Sequence, residues 1–315
     1  MDLDILYWLQ TNRPEFVGKL MSVFTFFGNE IIAIGIACLV YWCLSRKTGT
    51  RLLLSMLFGL TINQLLKISF AARRPWVRSA GTDKEIVPYA NAIDDATAYS
   101  FPSGHTANAA AAYGALVYGK GVKRVFKILA WILVVLVGVS RLYLGVHTPQ
   151  DVLASLVLGV ILVFLMGRLS EKLEENPKLD LPIALSAFAL AAAALIVALT
   201  RKLPGDEEEI ARNTMDVFKT VGAVCGMMLG WMLERRFVRF DKPATILSAA
   251  LRLVIGMALV FALLNATKPL FISLLGESAG GAVRYFITCF VAIFVWPLLF
   301  KRLEKRLPAK KENKG

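Results

Sequence analysis

Long apolar stretches alternate with short polar connections along most of this chain. A helix needs about 20 mostly apolar residues to cross a bilayer, and nine stretches approach that length. They cover residues 22–44, 51–69, 103–119, 125–141, 150–169, 181–200, 215–233, 246–267 and 283–300. This pattern predicts an all-α integral membrane protein with about nine transmembrane helices.

The first apolar stretch contains a polar break at residues 28–30. Two interpretations are therefore open: one span over 22–44, or a shorter span over 31–44 preceded by an amphipathic helix on the membrane surface. Residues 1–12 are rich in Leu, Ile, Tyr and Trp. That composition is typical of a helix lying at the membrane interface in either case.

Composition supports the membrane assignment. The chain is 57% hydrophobic and 19% charged, with a mean hydropathy of +0.59, whereas soluble domains have about 45–50% apolar and about 25% charged residues. A disordered chain and a disulfide scaffold are excluded by the same figures. The net charge of +13 raises the question of a nucleic-acid partner. In membrane proteins, however, basic residues concentrate in cytoplasmic connections.

Basic residues cluster in alternate connections, which predicts the orientation of the chain. Of the 36 Lys and Arg residues, 21 fall in residues 46–51, 120–127, 168–178, 235–242 and 301–314. The positive-inside rule then places the N-terminus outside and the C-terminus in the cytoplasm. Topology thus explains the positive charge, and we expect no nucleic-acid partner. Two long external connections are predicted, 70–102 and 268–282.

Three polar segments interrupt the apolar pattern on the predicted external side. They are residues 67–75, 102–105 and 140–151, and they contain both histidines of the protein. The residues of chemical interest in them are Lys67, Arg74, Ser103, Gly104, His105, Arg141, His147 and Asp151. The predicted topology brings all of them to one membrane face.

These residue types suit a phosphate group. Arginine presents forked donors to phosphate oxygens and lysine adds a point charge, while Gly104 allows close approach at a helix N-terminus. Of two histidines, one can attack phosphorus and the other can protonate the departing oxygen. A histidine nucleophile needs an acceptor at its second ring nitrogen, a role that Asp151 could fill.

Each residue taken alone has a simpler interpretation. Lys67 and Arg74 are of the type that lies at the end of a span and extends a long side chain to the membrane interface. Ser103 and Asp151 are typical helix-capping residues, and His105 suits an interfacial position. We favour a phosphate site because three independent segments agree in spacing, order and membrane side.

The spacing of these segments resembles a known family. The patterns Lys67-x6-Arg74-Pro75, Pro102-Ser103-Gly104-His105 and Ser140-Arg141-x5-His147-x3-Asp151 are similar to the three signature motifs of the type 2 phosphatidic acid phosphatase superfamily. That superfamily includes lipid phosphate phosphatases, glucose-6-phosphatase and the vanadium haloperoxidases. The resemblance covers about residues 15–170 and holds at every signature position.

The resemblance implies a role for each motif residue. His147 would be the nucleophile that forms a phosphohistidine, Asp151 would orient it, and His105 would be the general acid for the leaving group. The phosphoryl oxygens would be held by Lys67, Arg74, Ser103, Gly104 and Arg141. No metal or other cofactor is implied.

The second half of the chain departs from the familiar lipid phosphatases, which have six spans. We divide the chain into a phosphatase core, residues 1–178, with an interfacial N-terminal helix and five spans carrying the motifs, and an appended four-span region, residues 179–315. Nine spans are also similar to the layout of glucose-6-phosphatase and sphingosine-phosphate phosphatase. Gly222, Gly226 and Gly230 lie four apart, which favours close helix contact, either within the chain or in a homodimer.

We expect hydrolysis of a lipid phosphomonoester or pyrophosphate at the external face of the cell membrane, most simply a bacterial plasma membrane. Candidate substrates are undecaprenyl or another polyprenyl pyrophosphate, phosphatidate, phosphatidylglycerophosphate and a sphingoid phosphate. The loop 76–101 is expected to overhang the site and shape headgroup choice without a catalytic role.

Several alternatives remain open. One is a soluble sugar-phosphate phosphatase, and another is phosphotransfer to a second lipid. A third is a transporter or binding protein with a relict phosphate site, because polar residues at membrane depth are often functional. The residues that motivate it are Glu30, Asn63, Gln64 and Asn265. A peroxidase is disfavoured, since the vanadium enzymes are soluble.

Overall fold

The structure is a computed structural model that describes residues 2–119, 121–173 and 175–306. Lys120 and the basic tail beyond residue 306, which contribute to the predicted orientation, lie outside these ranges. The described residues form helices and connecting loops without strands. The all-helical architecture that the apolar stretches predict is therefore present.

Thirteen α-helices occur in the described ranges. They are α1 (Asp2–Thr11), α2 (Glu15–Phe26), α3 (Glu30–Leu39), α4 (Arg46–Phe70), α5 (Pro75–Ser79), α6 (Gly104–Ala109), α7 (Arg124–Tyr143), α8 (Pro149–Leu173), α9 (Asp180–Thr200), α10 (Glu207–Leu233), α11 (Ile246–Ala266), α12 (Lys268–Phe290) and α13 (Trp296–Arg306). Five-residue π-helical segments extend α3, α6, α10 and α12 at their C-terminal ends.

Seven helices in the described part of the chain are long and apolar enough to cross a membrane, and the number is eight if α2 and α3 form one bent span. The chain is therefore a multi-pass membrane protein, but the predicted number of about nine is not reached. The orientation of the two termini stays a prediction.

The predicted span over residues 103–119 accounts for part of the difference. The helical residues here run from 104 to 116, about 20 Å at about 1.5 Å per residue, against about 30 Å of hydrocarbon. The side chains from Ala109 to Ala112 are buried. A run of small apolar residues inside a bundle has the hydropathy of a short span, so a span over 103–119 is not confirmed and stays a prediction.

Residues 268–282, which the sequence predicts as an external connection, are helical. Gly276, with φ of 77°, interrupts α12. This φ lies in the left-handed region that glycine adopts without the steric penalty of a Cβ. The residues before Gly276 fold against those after it, since a Cβ on Gly280 would overlap the carbonyl oxygen of Phe271. The segment therefore contains a tight turn between two helical pieces, and its external location stays a prediction.

The polar break of the first apolar stretch separates α2 from α3, which meet at an angle of 42°. The side chain of Asn29 caps α3 by accepting a hydrogen bond from Ile31 N at 2.9 Å. A Cβ on Gly28 would lie 2.6 Å from Val137 Cγ1 and 2.9 Å from His105 O. Glycine thus lets the break pack directly against α6 and α7, next to the polar segments.

The two halves of the chain share one hydrophobic core. Its largest cluster contains Trp42 and Leu57 from the first half together with Trp231 and Ile293 from the second. The indole of Trp42 also donates to Ala292 O at 3.1 Å. The appended helices consequently pack against the helices that carry the motifs.

The glycine stripe of α10 makes its close contact within the chain. A Cβ on Gly222 would overlap the carbonyl oxygen of Ala282, and one on Gly226 would overlap that of Phe286. Both oxygens belong to α12, so the stripe is occupied by a helix of the same chain. The stripe therefore gives no support to a homodimer.

Candidate functional site

The three polar segments meet at a single cavity of about 520 Å³ between the two halves of the chain. Five of the eight residues singled out from the sequence line it, namely Lys67, Arg74, Gly104, His105 and His147. Ser103, Arg141 and Asp151 are buried beside it. The C-terminal end of α4, the N-terminal end of α6 and the α7–α8 connection supply these residues, as the predicted topology requires.

His147 is paired with Asp151 one helical turn away. Its Nδ1 lies 3.3 Å from Asp151 Oδ2, and its Nε2 faces the cavity with Arg74 Nη1 at 3.0 Å. Carboxylate contact at Nδ1 favours the tautomer with a proton on Nδ1, which leaves a lone pair on Nε2. The arrangement therefore leaves the unprotonated nitrogen of His147 beside the guanidinium of Arg74.

Asp151 Oδ2 is held by two further donors. Ser100 Oγ donates to it at 2.6 Å and Thr148 N donates at 2.8 Å. The backbone oxygen of Asp151 accepts from Ser103 N at 3.1 Å. Two segments that are distant in sequence, residues 100–103 and 147–151, thus meet at Asp151, and the carboxylate beside His147 has a fixed position.

Two buried cations, Arg74 and Lys67, lie close to the His147–Asp151 pair. Arg74 Nε donates to Ala98 O at 2.6 Å and its Nη1 donates to Val146 O at 2.9 Å. Lys67 Nζ donates to Tyr99 O. Backbone carbonyl oxygens hold both side chains without neutralising them, so the positive charge remains available to an anionic group in the cavity.

Arg141 is fully buried behind the cavity. Its Nη1 donates to Thr25 Oγ1 at 2.7 Å, whereas Nε and Nη2 have no hydrogen-bond partner in the described part of the chain. Buried guanidinium nitrogens without partners are costly. An anion bound beside Arg141 would accept hydrogen bonds from these two nitrogens.

His105 is the second imidazole of the cavity. Its Nε2 has no hydrogen-bond partner among the described residues. The Oδ2 atom of Asp95 lies 4.0 Å from this nitrogen. Asp95 is half exposed and belongs to the connection between α5 and α6. A proton on His105 would therefore face the cavity rather than a buried partner.

Gly104 and Ser103 differ in their surroundings. A Cβ on Gly104 would meet no atom within 4 Å, so packing within the protein does not require glycine there. Ser103 Oγ accepts from Thr106 N at 3.4 Å and from Thr106 Oγ1 at 2.9 Å, which caps α6. The open space beside Gly104 lies on the cavity side, where a side chain would obstruct a ligand.

The electrostatic environment keeps His147 neutral. Burial lowers the pKa of His147 below its ordinary value, and the neighbouring Arg74 lowers it further, while the hydrogen bond to Asp151 acts in the opposite direction. The imidazole of His147 is therefore neutral at neutral pH, the form in which a histidine can act as a nucleophile.

Several contributors to the site were not singled out from the sequence. Ser100 lies in the segment to which no catalytic role was assigned, and it acts here as a positioning residue through Asp151. Thr25 lies in α2 and holds Arg141. Asn213 of α10 accepts from Tyr99 N at 2.9 Å. Single hydroxyl and amide residues carry no recognisable spacing, so no sequence signal could have identified them.

The appended region also reaches the cavity. Asp216, Asn265, Lys268, Arg284 and Tyr285 are among its lining residues. So are Glu30, Asn63 and Gln64, which with Asn265 are the polar residues that the sequence placed at membrane depth. The polar residues of the second half therefore face the same space as the two histidines.

Comparison with known proteins agrees with this geometry. The family model of the PAP2 superfamily matches residues 48–175, and that of the PAP2 superfamily phosphatase transmembrane extension matches residues 218–311. No solved structure matches the chain.

The curated relatives align with about half of the chain. Phosphatidylglycerophosphatase B of Bacillus subtilis is 32% identical over 179 residues, which are 51% of this chain and 79% of that protein. The undecaprenyl-diphosphatase BcrC of the same organism is 34% identical over 184 residues, 56% of this chain and 83% of that protein. An undecaprenyl-diphosphatase of Sulfolobus acidocaldarius is 28% identical over 165 residues, 52% of this chain and 76% of that protein. With both family models matched in sequence order and the three motifs gathered at one cavity, the chain belongs to the PAP2 superfamily.

Proposed function

We propose that this protein is a membrane phosphatase that removes the terminal phosphate from a lipid diphosphate or a lipid phosphomonoester through a phosphohistidine at His147. The observation that carries the proposal is the orientation of His147, with Nδ1 on Asp151 and Nε2 directed into a cavity lined by Lys67 and Arg74. The related proteins named as acting on phosphatidylglycerophosphate and undecaprenyl diphosphate support a lipid substrate.

The first half-reaction begins with attack of Nε2 on the terminal phosphorus. The bond from this phosphorus to the leaving oxygen breaks as the bond to nitrogen forms. That oxygen is the bridging oxygen of a diphosphate or the alcohol oxygen of a monoester. Asp151 stabilises the positive charge that develops on the imidazole. Arg74 Nη1, which contacts Nε2, would move its hydrogen bond to a phosphoryl oxygen. Lys67 and Arg141 would neutralise the other oxygens.

His105 would donate a proton to the departing oxygen. Burial and the surrounding cations lower the pKa of His105, and a bound phosphate would offset the cations by bringing negative charge. In the second half-reaction His105 would remove a proton from water, whose oxygen attacks the phosphohistidine. Inorganic phosphate is released and both histidines return to their initial forms.

The proposal includes metal independence. Phosphoryl transfer requires neutralisation of the charge on the three equatorial oxygens. In this cavity Lys67, Arg74 and Arg141 can supply that charge, and the free amide of Gly104 at the start of α6 adds a donor. Catalysis should therefore proceed in the presence of a chelator.

We also propose that the site faces the external side of the cell membrane, in a bacterial plasma membrane. The positive-inside count supports this orientation. The lipid tail would stay among the helices while the headgroup reaches His147.

The decisive experiment measures phosphate release by purified wild-type protein and the His147→Ala variant with EDTA present. Substrates are undecaprenyl diphosphate, phosphatidate, phosphatidylglycerophosphate, sphingosine phosphate and glucose 6-phosphate. We expect release from lipid substrates by the wild type and none by the variant. His105→Ala should slow substrates with poor leaving groups most.

The same experiment distinguishes the alternatives. Preference for glucose 6-phosphate would indicate a sugar-phosphate phosphatase, and labelled phosphate recovered on a second lipid would indicate phosphotransfer. Binding without release from any substrate would indicate a transporter or binding protein. Activity retained in His147→Ala would overturn the nucleophile.

A further inference from the structure

Arg284 of α12 is a buried cation with no role in the mechanism above. Its side chain is only 8% exposed and lines the same cavity as His147. Its Nε has no hydrogen-bond partner among the described residues, and no carboxylate of the described part of the chain lies within 4.0 Å. The contact that the structure shows for it is the ring of Tyr285, 5.6 Å from the guanidinium carbon.

An unpaired guanidinium in such a position requires an explanation. Burial of an uncompensated charge is strongly unfavourable, and ionisable residues within membrane-spanning segments are usually functional. Arginine binds phosphate through two parallel hydrogen bonds. The unpaired Nε of Arg284 therefore points to an anionic ligand in the cavity.

A second cavity shows where a lipid tail would lie relative to Arg284. This apolar cavity of about 150 Å³ continues from the first, and Leu60, Leu264 and Tyr285 line both. Deeper in the bundle it is bordered by Met227 and Ile293. Tyr285 is shared by the two cavities, so Arg284, its neighbour in α12, lies in the polar cavity near the boundary with the apolar one. A substrate that spans both cavities would meet the order histidines, Arg284, apolar side chains.

We propose that Arg284 binds the second phosphate of the substrate, the one that is not transferred, so that the appended region selects lipids carrying two phosphate groups over simple monoesters. A terminal phosphate at His147 and a tail in the apolar cavity leave the second phosphate near Arg284. Both a diphosphate and a phosphodiester followed by a monoester fit this order. The inference rests on the proposed function.

Other charged groups line the cavity together with Arg284, and the experiment must separate their effects from its own. Asp216 lines the cavity but is paired with Lys219 at 2.9 Å, and Lys268 adds a second cation to the lining. Glu30 also lines the cavity and is the carboxylate to which Arg284 could turn instead. If Glu30 were its functional partner, replacing either residue would have the same effect.

The experiment compares two substrates with the same tail, farnesyl diphosphate and farnesyl monophosphate, in wild type and Arg284→Gln. We expect kcat/KM for the diphosphate to fall about 10- to 100-fold, the effect of losing a charge-assisted hydrogen bond. The monophosphate value should change less than about threefold. Arg284→Lys keeps the charge without the fork and should give an intermediate loss for the diphosphate.

Two control variants complete the design. Arg212→Gln removes a partly exposed arginine of the appended region, which is paired with Glu208, and should leave the hydrolysis of both substrates unchanged. Glu30→Gln should not reduce the preference for the diphosphate. An equal loss for Glu30→Gln and Arg284→Gln would assign Arg284 to a structural ion pair and overturn the inference.

The outcomes separate this inference from the proposed function. A wild type that cleaves both substrates, together with Arg284 variants that leave their ratio unchanged, would overturn the inference and leave the phosphatase intact. A wild type that cleaves neither contradicts the proposed function itself. If Arg284→Gln does not fold, the test relies on Arg284→Lys. An unchanged ratio of diphosphate to monophosphate kcat/KM in that variant would contradict the inference.

Discussion

The hydroxyl of Ser100 offers a sharp test of how the site is built. Of the three contacts to Asp151 Oδ2, that of Ser100 is the shortest at 2.6 Å, compared with 2.8 Å for Thr148 N and 3.3 Å for His147 Nδ1. Ser100→Ala removes this donor and leaves the carboxylate with two partners. The carboxylate is then free to turn away from His147.

The expected size follows from the type of bond. A hydrogen bond to a charged group contributes about 1.5–3 kcal/mol, and about 1.4 kcal/mol corresponds to a factor of ten in rate. We therefore expect kcat for a lipid phosphate to fall about 10- to 100-fold, with a smaller change in KM, because Ser100 acts on the nucleophile and not on substrate binding. Ser100→Thr restores a hydroxyl and should recover most of the rate.

A matched control lies in the same helix as Asp151. Ser170 is buried and donates only to Gly167 O at 2.8 Å, so Ser170→Ala loses a local hydrogen bond remote from the cavity. It should retain full activity. If Ser100→Ala also keeps kcat within about twofold of the wild type, Thr148 N suffices to position Asp151 and our account of Ser100 is wrong.

Three further predictions follow from the same structure. On the acid side, the kcat/KM of the wild type should fall only below about pH 6.5, because the pKa of His147 lies below its ordinary value of about 6.5 and protonation removes the nucleophile; an acid limb centred above pH 7 would contradict this. Gly226→Ala should lower the free energy of unfolding by about 1–3 kcal/mol, since its Cβ would overlap Phe286 O. The control variant Gly35→Ala places a Cβ that meets no atom within 4 Å, and it should be neutral. If both variants unfold at the same temperature in detergent, the close contact at Gly226 is refuted. Ala223→Phe, which fills the apolar cavity, should slow long-chain lipid phosphates while sparing short-chain esters, and an equal loss for both would show that tails lie elsewhere.

Composition and motif spacing determined much about this protein. The apolar stretches identify a helical membrane protein because twenty consecutive apolar residues have few other stable environments. The three polar segments identify the family because His147, His105 and their cationic partners occur at fixed spacings that do not depend on packing. Lys67, Arg74, His105 and His147 indeed line one cavity, together with Gly104.

The tertiary structure decided what local pattern does not encode. Residues 103–119 have the hydropathy of a span, yet they form a short buried helix, since apolar residues are needed equally against lipid and against other helices. The glycine stripe of α10 packs on α12 of the same chain, a choice of partner that spacing alone leaves open. Ser100, Thr25 and Arg284 reach the site through contacts between segments far apart in sequence, and such contacts exist only once the helices have packed.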